Sequence, residues 1–179
     1  MDTVIHLAAD RHGSADFYGS LLDNNIKGAY NIFQAAKDRG CRRVVFASSV
    51  QAVSGYPADA PIGPDAPVWP RNMYGASKCF GEATARSFAH TEGLSCICVR
   101  IGLWDSGFRR EEMDDARLRM YISQRDLNQL LVRCVEVPDI LYAIVHGVSD
   151  NRHKRLDIAS TRELLGYAPQ DDAFRVFEG

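Results

Sequence analysis

The hexapeptide MYGASK at 73–78 sets Tyr74 and Lys78 four positions apart. On a helix, residues i and i+4 share a face, so the Lys78 ammonium can approach the Tyr74 phenol. A nearby positive charge favours phenolate and lowers the phenol pKa from its reference near ~10. Such a phenol can accept a proton near neutral pH. The same spacing also describes an exposed surface pair, and the motif alone does not separate the two readings. Ser49 adds the weight. It ends the run RVVFASS, read as a parallel strand, and ligand sites in parallel sheets form at the carboxyl ends of strands. A strand-end hydroxyl can hold a substrate hydroxyl while Tyr74 removes its proton. Hydride transfer from that substrate requires a cofactor to accept the other two electrons.

The elements that must position these groups alternate. TVIHLAA (3–9) is a short apolar run, as expected of a strand buried on both faces. After the loop DRHGSADFYGS, the segment from Leu21 to Gly40 reads as a helix. Leu22, Ile26, Tyr30, Ile32, Phe33 and Ala36 form its apolar face, and Gly40 stops it. A second strand spans 42–49, and a long loop rich in Pro, Gly, Ala and Asp spans 51–71. A helix from Met73 to about Glu92 and a third strand at 94–102 follow. This β-α-β-α-β order predicts a parallel sheet covered by helices. The polar segment 103–120 is an excursion over the side of the site. Ser123 with Asp126 resembles a helix start for 124–136, which Pro138 closes. A fourth strand at 141–149, then a short helix, a glycine stop and an extended tail at 160–172, complete the reading.

Composition narrows the function. The chain has 179 residues, 46% hydrophobic and 25% charged, with a formal net charge of -2. That is an ordinary globular domain with no basic stripe for nucleic acid. Arg152-His153-Lys154-Arg155 reads as a solvated loop. No apolar run approaches the ~18 residues of a membrane span, and the N-terminus lacks a secretory signature. Five cysteines without a CxxC, and five histidines without metal spacing, suggest reduced thiols in the cytoplasm and no metal site. Cys96 and Cys98 alternate in a strand and share one face. His6 reads as a buried, hydrogen-bonded histidine and Ser48 as structural. Trp104 and Phe108 either line a pocket or cap the core.

VIHLAA, NNIKGAYNIFQAA, RVVFASS, YGASKCFGE and VRIG, in this order and spacing, resemble the extended short-chain dehydrogenase/reductase family, the NAD-dependent epimerase/dehydratase group. The resemblance runs along nearly the whole chain. It implies a Rossmann-type sheet, NAD as cofactor with NADP as the alternative, and Ser49, Tyr74 and Lys78 as catalytic residues. It places Leu7, Ala8, Ala9, Asn25, Tyr74, Lys78 and Ile101 at the cofactor, with Lys78 on the nicotinamide ribose. It also implies homodimerisation through the helix carrying Tyr74 and Lys78.

The family's Gly-rich turn, GxxGxxG or GxGxxG, is absent from this sequence, and TVIHLAA resembles the family's fourth strand. The expectation is therefore a single partial domain. Residues 1–102 would be the C-terminal part of the dinucleotide-binding fold, and 103–179 a small substrate lobe with the final sheet elements. Activity of this chain by itself is in doubt on that basis.

DARLRMYISQRDLNQLLVRCVEVPD and LLGYAPQDD are similar to uronate dehydrogenases, which oxidise a hexuronic acid with NAD. That similarity assigns substrate contacts to Ser49, Gln51 and Arg100, the last as a carboxylate partner. The uronate enzymes follow the serine pair with Asn-His, whereas Val50 and Gln51 stand here, so hydroxyl recognition is altered. Oxidation of a sugar or sugar acid is the leading expectation. A nucleotide-sugar epimerase or dehydratase is the runner-up, disfavoured by the short C-terminal lobe. A non-catalytic truncated relative is the third reading, supported by the missing turn.

Overall fold

The computed structural model describes residues 2–178. Four parallel strands lie in the order β1-β2-β3-β6: β1 (Thr3–His6), β2 (Arg43–Ser49), β3 (Ser95–Ile101) and β6 (Tyr142–Gly147). Every residue of β2 is buried, as a central strand covered on both faces must be. Alternation along the strands sends side chains to two separate cores. Val44, Phe46, Cys96 and Cys98 pack against Ala29 and Phe33 of α1 (Gly28–Asp38) and Ala85 and Phe88 of α2 (Met73–Glu92). Val45, Ile97, Val99 and Val145 pack against Leu130 and Cys134 of α4 (Gln124–Glu136) and Leu165 of α5 (Ala159–Leu165). Both cysteines of β3 thus face the same core, and burial pushes the Cys96 thiol up to about 12.

The first helical segment departs from a plain α-helix. Phe17–Lys27 is wound as a π-helix and runs directly into α1. The Leu21 N–H donates to the Asp16 carbonyl five residues back at 3.1 Å. Across the two segments the buried positions from Leu21 through Asn25 and Ala29 to Phe33 recur every four residues, before Ala36 returns to a three-residue step within α1. A strict four-residue repeat drifts around an α-helix of 3.6 residues per turn, and the wider π turn offsets the drift. The stripe facing the core therefore stays straight.

The predicted strands are shortened at their ends. β1 stops at His6, because residues 7–10 leave the sheet toward a cleft. His6 is buried as expected, but its ring lies 5.7 Å from that of Phe46 and has no hydrogen-bond partner among the described residues. The 103–120 excursion is more structured than its polarity implied. β4 (Leu103–Trp104) pairs in parallel with β5 (Tyr121–Ile122), with α3 (Asp115–Met120) between them. The tail is not simply extended: Asp172 caps a last helical turn, α6 (Ala173–Val176). Nor is the basic cluster merely solvated. Arg152 pairs with Asp172 and Glu178, Lys154 with Asp150, and Arg155 donates to the Tyr56 carbonyl. Ser123 does cap α4, accepting from the Asp126 N–H at 3.1 Å. At the other end of α4, buried Arg43 donates to the Cys134 carbonyl at 2.8 Å and also to that of Val137. Among the described residues no helix is long and apolar enough to cross a membrane.

Helix α2 sits unusually close to β2. A Cβ at Gly81 would fall 2.1 Å from Cζ of Phe46. Gly81→Ala should therefore destabilise the fold by about 1–3 kcal/mol through overpacking. Chemical denaturation of Gly81→Ala, Phe46→Leu and the double variant checks this. The double variant should be more stable than the sum of the single losses, because the smaller ring removes the clash.

Candidate functional site

The carboxyl ends of β1, β2 and β3 open into a cleft of about 860 Å³. Its floor and walls include Leu7, Ala9, Ala47, Ser49, Gln51, Tyr74, Lys78 and Ile101. Two local structures bring Ser49 and Tyr74 together. After Ser49 the chain turns into a short 3-10 segment, Val50–Val53, which Ser49 caps by accepting from the Gln51 N–H at 3.2 Å. Asn72 caps α2 by accepting from the Gly75 N–H at 2.7 Å, placing Tyr74 in the first turn. Gly75 allows these two turns to touch, since a Cβ there would lie 2.4 Å from the Gln51 carbonyl oxygen. The Asn72 amide also donates to Gln51 Oε1 at 3.2 Å and fixes that side chain at the rim.

Lys78 lies one helical turn below Tyr74 and is only 4% exposed. Its ammonium donates to the Ala47 carbonyl at 2.9 Å and stands 5.6 Å from the Tyr74 ring centre. Burial depresses its pKa to about 8. The phenol does not follow the sequence expectation of a lowered pKa. Burial raises the Tyr74 pKa, hydrogen bonding from Ser49 and the charge of Arg11 pull it partly back, and Asp10 pushes it up again. The expected lowering by Lys78 is missing because the lysine gives its hydrogen bond to a backbone carbonyl instead of the phenol oxygen.

Asn25, buried in the π-helical segment, ties the site together. Its side chain accepts from the Asp10 N–H at 2.8 Å and donates to the Asp10 carbonyl at 2.9 Å and to Ser77 Oγ at 3.0 Å. Ser77 in turn donates to the Tyr74 carbonyl at 2.7 Å. The loop after β1 and the first turn of α2 are thereby held in register. Ala8 lies just outside the main cleft, beside a smaller depression shared with Ala9 and Asn24.

Arg100 is not brought to the cleft. It pairs in register with Ser48, and both point at α2. Its guanidinium grips Glu82 with two bonds, 2.9 and 3.0 Å, and Ser48 Oγ donates to the same carboxylate at 2.6 Å. Both charged side chains are at most 4% exposed. The expected substrate carboxylate partner is thus occupied inside the protein, while Ile101, one residue on, faces the cleft. Trp104 and Phe108 do line it, with Trp104 Nε1 donating to Gln124 Oε1 at 3.1 Å. Residues that sequence reasoning passed over also line the cleft: Arg11 and His12 after β1, and Gln124, Leu127, Asn128 and Leu131 of α4. The loop carried no motif, and the α4 positions looked like an ordinary amphipathic face.

The depressed Lys78 pKa carries a stability signature. Between about pH 8, the folded value, and pH 10.5, the ordinary lysine value, the unfolded chain binds the proton that the folded chain has released. Stability contributed by this group therefore rises with pH across that window. The buried thiols, whose pKa values are raised, oppose it above about pH 9, so the readout is the difference: the native chain's stability minus that of Lys78→Met, from denaturant midpoints, should rise across the window.

Residues 1–138 match the NAD dependent epimerase/dehydratase family. The chain is 36% identical to an NAD-dependent glucose-6-phosphate dehydrogenase of Haloferax volcanii, across 98% of this chain and 71% of that protein. It is 34% identical to a uronate dehydrogenase of Pseudomonas putida, across 97% of this chain and 62% of that protein. The crystal structure of a mutant uronate dehydrogenase from Agrobacterium tumefaciens, complexed with NAD, superposes with a TM-score of 0.85 at 32% identity, over 98% of this chain and 64% of that one. The chain thus spans less than two thirds of the length of the uronate dehydrogenases it matches here. The parallel sheet flanked by helices is the Rossmann-type architecture expected from the sequence. On the family match and these likenesses, the chain belongs to the NAD-dependent epimerase/dehydratase family.

Proposed function

We propose that this chain carries the nicotinamide and substrate side of an NAD-dependent dehydrogenase that oxidises a hydroxyl of a sugar or sugar acid. The observation that carries this reading is the meeting of Ser49, Tyr74 and Lys78 in one cleft at the strand ends. The residues present fit a nicotinamide riboside. Leu7, Ala9 and Ile101 offer apolar surface to a flat ring, while Tyr74 and Lys78 offer polar groups to a ribose. The chemistry a bound NAD would supply is acceptance of the hydride. Ser49 Oγ orients the substrate hydroxyl, and Tyr74 Oη takes its proton. The Lys78 ammonium favours the phenolate electrostatically and, from its fixed bond to Ala47, orients the ribose. Asn25 acts as a positioning residue through Ser77. The likeness to sugar and sugar-acid dehydrogenases supports the substrate class.

The remaining readings follow the same resemblance. We take residues 1–102 and 103–179 as two parts of one domain, assembled as a homodimer through α2. The five cysteines, all free, support a cytoplasmic setting.

The test is NADH formation on uronates and aldoses. Tyr74→Phe should lower kcat by about 10²–10⁴-fold, the usual share of a positioned acid/base group. A loss of less than tenfold removes Tyr74 from that role. Because burial raises the Tyr74 pKa, kcat/KM for oxidation should climb with pH on the acid side of the profile. Lys78→Met should weaken NAD binding, since the ribose then loses its polar partner at the wall of the cleft.

A further inference from the structure

The cleft has an uneven charge. The chain holds 23 aspartates and glutamates, yet none lines the cleft, whereas Arg11 and Lys78 both do. The two cations differ in availability. Lys78 is buried and bonded to the Ala47 carbonyl. Arg11 is exposed and lines the cleft with Gly13 and His12, and its guanidinium has no hydrogen-bond or ion-pair partner among the described residues. Its backbone is well placed, because Asn25 clamps both the N–H and the carbonyl of the preceding residue, Asp10. The Asp10 carboxylate forms no ion pair with it: that group accepts from Ser20 Oγ and binds the His12 ring at 2.8 Å. Arg11 is also close enough to Tyr74 for its charge to be felt at the phenol.

We infer that Arg11 is a specificity-determining residue that receives an oxyanion, carboxylate or phosphate, carried by the sugar at a distance from the reacting hydroxyl. The inference rests on the dehydrogenase reading for its substrate class, and it gives this cleft the anion partner that Arg100 cannot supply. A guanidinium matches either oxyanion with two parallel hydrogen bonds. In a cleft with no competing carboxylate, that contact favours a charged sugar over a neutral one of the same shape. It also fixes which way round the sugar lies between Ser49 and Arg11.

Calorimetric titrations of the full chain without cofactor, using D-glucuronate, D-glucose 6-phosphate and D-glucose, test it. At least one charged sugar should bind about tenfold or more tightly than D-glucose, as expected for a charge-assisted contact. The advantage should shrink as salt is raised, disappear in Arg11→Gln and persist in Arg71→Gln, whose side chain lies outside the cleft. Preference for glucuronate alone identifies a carboxylate site, and preference for the phosphate ester alone a phosphate site. Equal affinities for all three sugars, absence of binding by both charged sugars, or a preference that survives Arg11→Gln would overturn the inference. So would an Arg11→Gln loss that falls on NADH binding while sugar binding is kept. The dehydrogenase reading fails separately: its failure is a retained charge preference with no NADH formed when NAD is added.

Discussion

The seating of α2 against the sheet is the contact on which the rest of the structure depends. Three positions on one face of the helix fasten it. Lys78 bonds the Ala47 carbonyl, Gly81 lets the helix touch Phe46, and Glu82 joins Arg100 and Ser48. Burying the Glu82–Arg100 charges costs several kcal/mol per ion before their attraction is counted. The pair is sustained by three short bonds, two from Arg100 to Glu82 and one from Ser48 to Glu82, with a longer contact of 3.4 Å from Arg100 to the Pro64 carbonyl. That arrangement does more than stabilise. It ties a residue of β2 adjacent to Ser49 to a residue of α2 one turn beyond Lys78, and so fixes the strand end against the helix that carries tyrosine and lysine.

The same docking sets the electrostatics of the cleft. Burying an ammonium against the sheet without a carboxylate partner lowers its pKa. The Tyr74 phenol, buried beside it, is raised instead of lowered. The two shifts have one main cause, the desolvation of both groups, and it disfavours the charged form of each. A bound substrate that excludes more water strengthens the attraction between ammonium and phenolate. The site is thus built from burial first and charge second.

Much of this was legible in the sequence for identifiable reasons. RVVFASS and SCICVRI are apolar on both faces, which only a covered parallel strand tolerates, and the intervening segments are of crossover length. Ser49, Tyr74 and Lys78 converge because strand end and helix start are joined by a loop that returns the chain to the same edge. Arg100 was misplaced because a strand-end arginine gives no sign of which face it takes. That depends on its register with Ser48 and on Glu82, a helix residue far away in sequence. The π winding of Phe17–Lys27 left no mark beyond a four-residue burial repeat, which resembles an ordinary helix until the core is known. Arg11 was silent because a loop arginine acquires meaning only from the absence of acids in the cleft around it.

The account stands on the cleft being a nicotinamide site built from these strand ends. Saturation-transfer NMR with NADH measures this directly, since saturation of the protein passes to whichever ligand protons touch it. The account predicts transfer to the nicotinamide and adjoining ribose protons, abolished when Ile101→Trp fills the wall of the cleft. Transfer confined to the adenine protons, or unchanged by that substitution, would contradict it.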